Sequence, residues 1–247
     1  CLLPRQHRQA QPLPQVHRFS FHLGVKRELY PWVSKVGRFC GKTVILLSLS
    51  LACSEHVLSS DYGITGLIDT PTARMSSDGK ITVTSALQDR TRSYAITYQA
   101  TPWLEGTFRY TGYNDFFFWD RNYEAKIKLW PEQELLPQMA IGIRDLVGTG
   151  VVSSEYIVAS KMIGQLDVTF GLGWGRLAGN GRIKNPFTFI SDSFESREND
   201  IGLGGEFITG SFFRGKKVGY FGGLSYKFDS IPLTLMLEYN PDRYEFE

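Results

Sequence analysis

Segment after segment of this chain places an apolar residue at every second position, and a period of two admits strands while excluding helices of any length. Tyr94, Ile96, Tyr98 and Ala100 alternate with Ser93, Ala95, Thr97 and Gln99. Tyr123, Ala125, Ile127 and Leu129 alternate with Glu124, Lys126 and Lys128, and Leu166, Val168, Phe170 and Leu172 with Asp167, Thr169 and Gly171. The pattern predicts strands at 80–87, 93–100, 105–113, 122–130, 138–145, 153–162, 166–176, 218–228 and 233–240, with a further candidate at 62–69. Most are longer than the strands of soluble sheets and match the length that a tilted strand needs to cross a bilayer.

Alternation alone also suits a soluble barrel, whose apolar face points inward. Two further features favour the membrane. Tyr94, Tyr110, Tyr123, Tyr156, Trp174, Phe228 and Tyr239 fall on the apolar faces toward strand ends, where amphipathic rings suit a headgroup layer. The connections also sort by length: those at 101–104, 162–165 and 229–232 are tight, whereas 114–121 and 177–217 are long. Counted along the chain, the tight ones are even-numbered and the long ones odd-numbered, as when turns lie on one side of a membrane and loops on the other; a short first connection at 88–92 is the exception. The fold class expected is all-β, an antiparallel up-and-down transmembrane β-barrel or an incomplete part of one, with about 9–11 strands.

The first 52 residues differ in kind. No methionine precedes Met75, so residues 1–24 read as upstream translation, with Val25 as a candidate initiator. Lys26, Arg27, Lys35, Arg38 and Lys42 then precede the apolar run Thr43 to Ala52, too short to span a bilayer as a helix but right for a secretory signal over 25–52. Ser50 and Ala52 suit cleavage before Cys53, which leaves 53–247 as the barrel domain. Cys53 is also the candidate lipidation site, although a lipobox wants a large aliphatic residue where Ser50 stands.

Removing that leader reverses the charge. Residues 1–52 hold eight of the 27 Lys and Arg and one of the 25 acids, so the remainder has 19 bases against 24 acids, a net of −5. A nucleic-acid partner loses its electrostatic basis. Past residue 52 only Cys53 and His56 remain of their types, both at the start, which excludes a disulfide, a Cys/His zinc site and a Cys–His nucleophile pair there. No cofactor is expected.

The stretch Gly63-Ile-Thr-Gly-Leu-Ile-Asp-Thr-Pro-Thr-Ala-Arg-Met75, followed by Asp78-Gly79, resembles the opening of the YjbH family of exopolysaccharide-associated outer-membrane proteins. The resemblance continues through Asn122 to Lys128, Pro137 to Gly150, Ser154 to Lys161 and Gly171 to Gly179, and resumes at Gly205-Glu-Phe and Ser211-Phe-Phe-Arg-Gly215. It implies an envelope protein serving biosynthesis or export of an extracellular polysaccharide. Members run considerably longer and barrels of this kind end on an aromatic residue, whereas here Phe246 is followed by Glu247, so truncation of the barrel domain at its C-terminus is expected.

Pro71 and Gly79 in the opening motif read as turn residues. Gly171-Leu-Gly-Trp-Gly superficially suggests a nucleotide loop, but it lies in an alternating strand with no following helix, and small inward-facing residues explain it better. Phe116, Phe117, Phe118 and Trp119, beside Asp120 and Arg121, could form a sugar-binding surface, although an interfacial belt explains them as well. Arg109, Lys126, Lys128, Arg144 and Lys227 could line a track for an acidic polymer, against the alternative of a mixed-charge network that stiffens a barrel. Glu195, Glu198 and Asp200 are carboxylates of the long loop with nothing to fix their separation for glycoside cleavage.

The expectation is a non-catalytic component of exopolysaccharide production in the bacterial outer membrane, which passes or docks polymer and whose partners are membrane lipid, exopolysaccharide and other envelope proteins. The alternatives are a small-solute porin or structural barrel and, more distantly, a periplasmic glycan-modifying enzyme.

Overall fold

The computed structural model describes residues 21–23, 58–88, 91–113, 118–147, 150, 153–197, 209–231 and 233–242. Each of the nine alternating segments forms a strand. These are β2 (Ile81–Leu87), β3 (Thr91–Thr101), β4 (Leu104–Tyr113), β5 (Phe118–Trp130), β6 (Gln138–Arg144), β7 (Ser154–Ile163), β8 (Leu166–Gly173), β10 (Lys217–Lys227) and β11 (Leu233–Tyr239). Two short strands join them, β1 (Phe21–Leu23) against β11 and β9 (Ile183–Lys184) against β10. The spatial order is β1-β11-β10-β8-β7-β6-β5-β4-β3-β2, antiparallel throughout. The meander is therefore as expected, but among the described residues β2 and β11 do not pair with each other and the sheet is not closed into a barrel. Among the described residues no helix is long and apolar enough to cross a membrane, which leaves crossing by strands open.

The two faces of the sheet are reversed relative to a soluble protein. Val83 is 76 % exposed, Ile96 53 % and Phe170 56 %, and Tyr94, Tyr98, Ile127, Leu129, Leu235 and Leu237 share that outer face. Their neighbours in sequence are buried and polar: Thr97, Gln99, Glu105, Thr107, Arg109, Asn122, Glu124, Lys126, Arg144, Ser160 and Thr169. Because side chains on a strand point alternately to opposite faces, one register choice sorts all of them. Patches of bare apolar surface this large are unusual in water.

What fills the polar side is the segment 58–76. Residues 62–69, a candidate strand in the sequence, do not form one. They fold into a compact loop held by two isolated bridges, Ser59 to Thr65 and Gly66 to Pro71. Close approach enforces this: a Cβ on Gly66 would lie 2.4 Å from the Thr70 carbonyl oxygen, and one on Gly63, at φ +94°, would lie 2.4 Å from the Ala95 methyl.

The contacts of this loop show how far the sheet curls. The Thr65 amide donates to Glu105 on β4, and the Ile68 amide to Glu238 on β11. In a flat sheet six strand spacings would separate those carboxylates, roughly 29 Å. Three residues of chain reach at most about 11 Å. The sheet therefore wraps the segment.

Two aromatics expected on the outer face lie elsewhere. Tyr156 is fully buried on the inner side, edge-on to Phe221 at 6.3 Å between ring centroids and packed over Gly142, where a Cβ would meet its ring at 2.3 Å. Trp174 is also fully buried, because β8 ends at Gly173 instead of continuing to 176, and the chain turns at Gly175 (φ +61°) into a 3-10 turn over Gly175–Ala178. Gly171 is small for the reason expected of an inward-facing residue: a Cβ there would lie 2.3 Å from the Phe221 ring.

Candidate functional site

The inner face and segment 58–76 form one polar interface, built on charges that the alternating strands direct inward. Glu105 accepts from the Thr65 amide at 2.7 Å and the Thr65 hydroxyl at 2.6 Å. Lys126, two strand positions from Glu124, donates to the carbonyls of Thr65 (3.0 Å) and Arg74 (2.8 Å) and pairs with Glu105 at 3.4 Å. Lys126 and Glu105 are both 0 % exposed, so this ion pair is fully withdrawn from water. Such a pair persists only when its remaining valences are satisfied, and here the segment's backbone satisfies them.

The rest of the segment is gripped in the same way. The Tyr62 ring lies between the guanidinium groups of Arg109 (4.3 Å) and Arg144 (3.9 Å). Arg144 pairs with Glu124 at 3.4 Å and donates to the Asp69 carbonyl, while Glu124 also accepts from the Tyr156 hydroxyl. Glu238 accepts from the backbone amides of Ile68, Asp69 and Thr70 and from the Thr70 hydroxyl, an anion held in a cradle of successive N–H groups. The Ala73 amide donates to Ser160, and Gln138 donates to the Ala73 carbonyl.

At the end carrying the β5–β6 and β7–β8 turns, Arg74 donates to both carboxylate oxygens of Asp167 at 2.8 Å and reaches Glu132 at 2.6 Å. Burial works against the Glu132 carboxylate. Hydrogen bonds from Arg74, the Met162 amide and Lys161 outweigh it and lower the pKa from 4.5 to about 2. The Pro71-Thr-Ala-Arg74 motif is thus the docking strip of this segment, with its arginine as the clamp at one end.

The long β8–β10 connection covers the opposite end. Trp174, Phe187 and Phe213 pack with centroids 5.1 to 5.7 Å apart, and Phe194 lies 5.5 Å from Phe187. Buried Glu155 on β7 ties this cap to the rim by accepting from Arg197 at 2.8 and 2.9 Å and from the Phe213 amide at 2.8 Å.

The residues singled out in the sequence separate into groups. Arg109, Lys126 and Arg144 converge beneath the segment, where a polymer reaches them only if the segment leaves. Lys128 lies half-buried toward the end of β5, and Lys227 is exposed at the end of β10. Trp119 is on the outer face, stacked on Tyr110 at 4.7 Å and lying over Gly112, as a membrane-facing ring would be. Phe118 opens β5 opposite Tyr113. Phe116, Phe117, Cys53, Glu198 and Asp200 lie outside the described residues. Sequence reasoning missed the clamp of Arg74 and the cradle around Glu238. The one available signal was that residues 62–76 break the period of two while concentrating Gly, Thr and Pro.

Fold and site together define an all-β protein whose antiparallel sheet, apolar outside and polar within, is wrapped around its own N-proximal segment. The chain belongs to the YjbH family: the family model described as "Exopolysaccharide biosynthesis protein YbjH" matches residues 58–247, from the start of the wrapped segment onward. It is 36 % identical over 222 residues to the "Uncharacterized lipoprotein YjbH" of Escherichia coli (strain K12), an alignment covering 82 % of this chain and 32 % of that protein. The chain thus spans about a third of that relative's length. No solved structure matches.

Proposed function

We propose that this chain is a non-catalytic outer-membrane component of exopolysaccharide production, which docks polymer at the membrane surface. The observation that carries the reading is the inversion of the sheet: large apolar side chains outside, and an ion-paired polar interior. Acyl chains are the solvent that such an outer face suits, and lipid-facing strands alternate apolar and polar in this way. The family's association with exopolysaccharide biosynthesis supplies the process.

Docking is favoured over passage because the inner face is occupied. Each of the inward cations Arg109, Lys126 and Arg144 is engaged by segment 58–76 or by a neighbouring strand, so no continuous charged track is open to a polymer. The same filling disfavours a small-solute porin. The relative's description as a lipoprotein supports Cys53 as a lipid anchor for this chain, which would tether the wrapped segment from its N-terminal side.

Deleting the gene and measuring surface polymer together with small-solute uptake tests the reading. The expected result is polymer lost and uptake unchanged. Polymer unchanged on deletion contradicts it, and recovery of the protein in the soluble periplasmic fraction contradicts the membrane placement. Radiolabelled palmitate entering the wild-type chain but not the Cys53→Ser variant would establish the anchor.

A further inference from the structure

Among the described residues, one group of cations stands apart from the paired interior. Arg182, Lys184, Lys216 and Lys217, together with Glu195, line a recess of about 420 Å³ in the long-loop cap. None of the four cations forms an ion pair with another described residue. Lys184 and Lys217 are direct antiparallel partners in the short β9–β10 ladder, an arrangement in which like charges repel.

The fold nevertheless holds these charges together. Asn185, fully buried, donates to the carbonyls of Phe213 and Gly215 at 2.9 Å each and accepts from the Phe187 amide, while its own amide donates to the Lys216 carbonyl. This clasp fixes residues 184–187 against 213–216. Beneath it lies the aromatic cluster of Trp174, Phe187, Phe194 and Phe213. A buried asparagine and a packed aromatic base thus hold four cations, none of them ion-paired and only Glu195 opposing them in the recess, within reach of solvent. Beside them Phe189 is 84 % exposed, with Lys184 Nζ 5.6 Å from its ring centroid.

We propose that this recess binds an acidic polysaccharide, with carboxylates of the polymer neutralising Lys184, Lys217, Lys216 and Arg182, and the Phe189 ring offering an apolar face to a sugar. The inference rests on the polymer-docking reading and adds to it both the site and the charge of the polymer. Phosphates of lipid A share the anionic chemistry. Four cations against one carboxylate line the recess, however, and they lie in the loop cap rather than on the apolar outer face of the sheet, which favours a solvated glycan.

The full-length chain in detergent micelles is titrated with polygalacturonate oligosaccharides, with uncharged dextran and with vesicles containing lipid A, alongside the Lys184→Gln/Lys217→Gln double variant. The expected result is binding of polygalacturonate that weakens with salt, none of dextran, and a loss of roughly tenfold or more in the double variant. The variant relieves a repulsion, so its folding should be intact, which unchanged heat-modifiable gel migration would verify. Equal binding by wild type and variant, or no binding of polygalacturonate, overturns the proposal. Binding of lipid A vesicles alone overturns it in favour of a lipid phosphate. The two readings fail separately: a deletion strain that loses polymer and is fully restored by the double variant sinks the recess and leaves the docking function standing. A deletion strain with normal polymer sinks the docking function, whatever the recess binds.

Discussion

The cations under segment 58–76 and the cations of the long-loop cap are the same residue types in opposite circumstances. Lys126 is fully buried, paired with Glu105 and donating to two backbone carbonyls. Lys184 is exposed and faces another lysine across a two-residue ladder. A buried charge that has found every partner holds structure together and has no valence left for a ligand. An exposed charge held beside its like, in a recess where four cations face the single carboxylate of Glu195 and none is ion-paired, is available to one. The comparison therefore assigns the interior to architecture and the cap to recognition.

Breaking the interior side should give the largest effect. Glu105→Ala removes the carboxylate partner of Lys126 and the acceptor of Thr65 at once. Stranding a buried charge costs about 3–5 kcal/mol. Denaturant unfolding in detergent should show that loss, whereas Lys184→Gln should leave the midpoint nearly unchanged. If the two variants behave alike, the division between structural and recognition cations fails.

Glu238→Gln comes next. The side chain keeps one acceptor oxygen but loses the charge that gathers the amides of Ile68, Asp69 and Thr70. A deficit of about 1.5–3 kcal/mol is expected, in line with hydrogen bonds to a charged group. Because Glu238 joins β11 to the segment, limited proteolysis should cut residues 58–76 earlier in this variant than in wild type.

A smaller effect should follow pH. Glu132 has a folded-state pKa of about 2 against an ordinary 4.5. A depressed carboxylate pKa contributes stability that is fully present above 4.5 and is lost as pH falls through about 2. Docking of the Arg74 end, followed by protease protection, should weaken across that window in wild type, and the Glu132→Gln variant should lack this component. An identical acid profile in the two would remove Glu132 from the clamp.

The smallest change should be a gain. Lys184→Glu turns a repulsive cross-strand pair into an attractive one with Lys217, worth about 0.2–1 kcal/mol. The same variant should bind an acidic glycan less well, a divergence of stability from affinity that a purely structural role for Lys184 would not produce.

The strands were legible in the sequence because a period of two survives any tertiary context: each of the nine alternating segments is a strand, with ends displaced by a few residues. The wrapped segment was not legible, because its backbone is organised by Glu105, Glu238 and Lys126, residues 40 to 170 positions away. No local pattern encodes such partners. Tyr156 shows a subtler limit. Read by residue type it joins the outer aromatics, but Gly142 on the neighbouring strand opens a place for its ring inside, and the hydroxyl finds Glu124 there. The basic recess of the cap was not legible, since Arg182 and Lys184 stand more than thirty positions before Lys216 and Lys217. Their convergence depends on the Asn185 clasp, which only the folded chain reveals.

The central claim is that the outer face of this sheet meets lipid. Single spin labels at Val83, Ile96 and Leu237, on a background with the native cysteines replaced by serine, can be measured in reconstituted vesicles with a fourth label at Lys184 as the aqueous reference. The account predicts that the first three collide with oxygen more than with a water-soluble nickel complex, and that Lys184 shows the reverse. Outer-face labels as accessible to the nickel complex as Lys184 would contradict it.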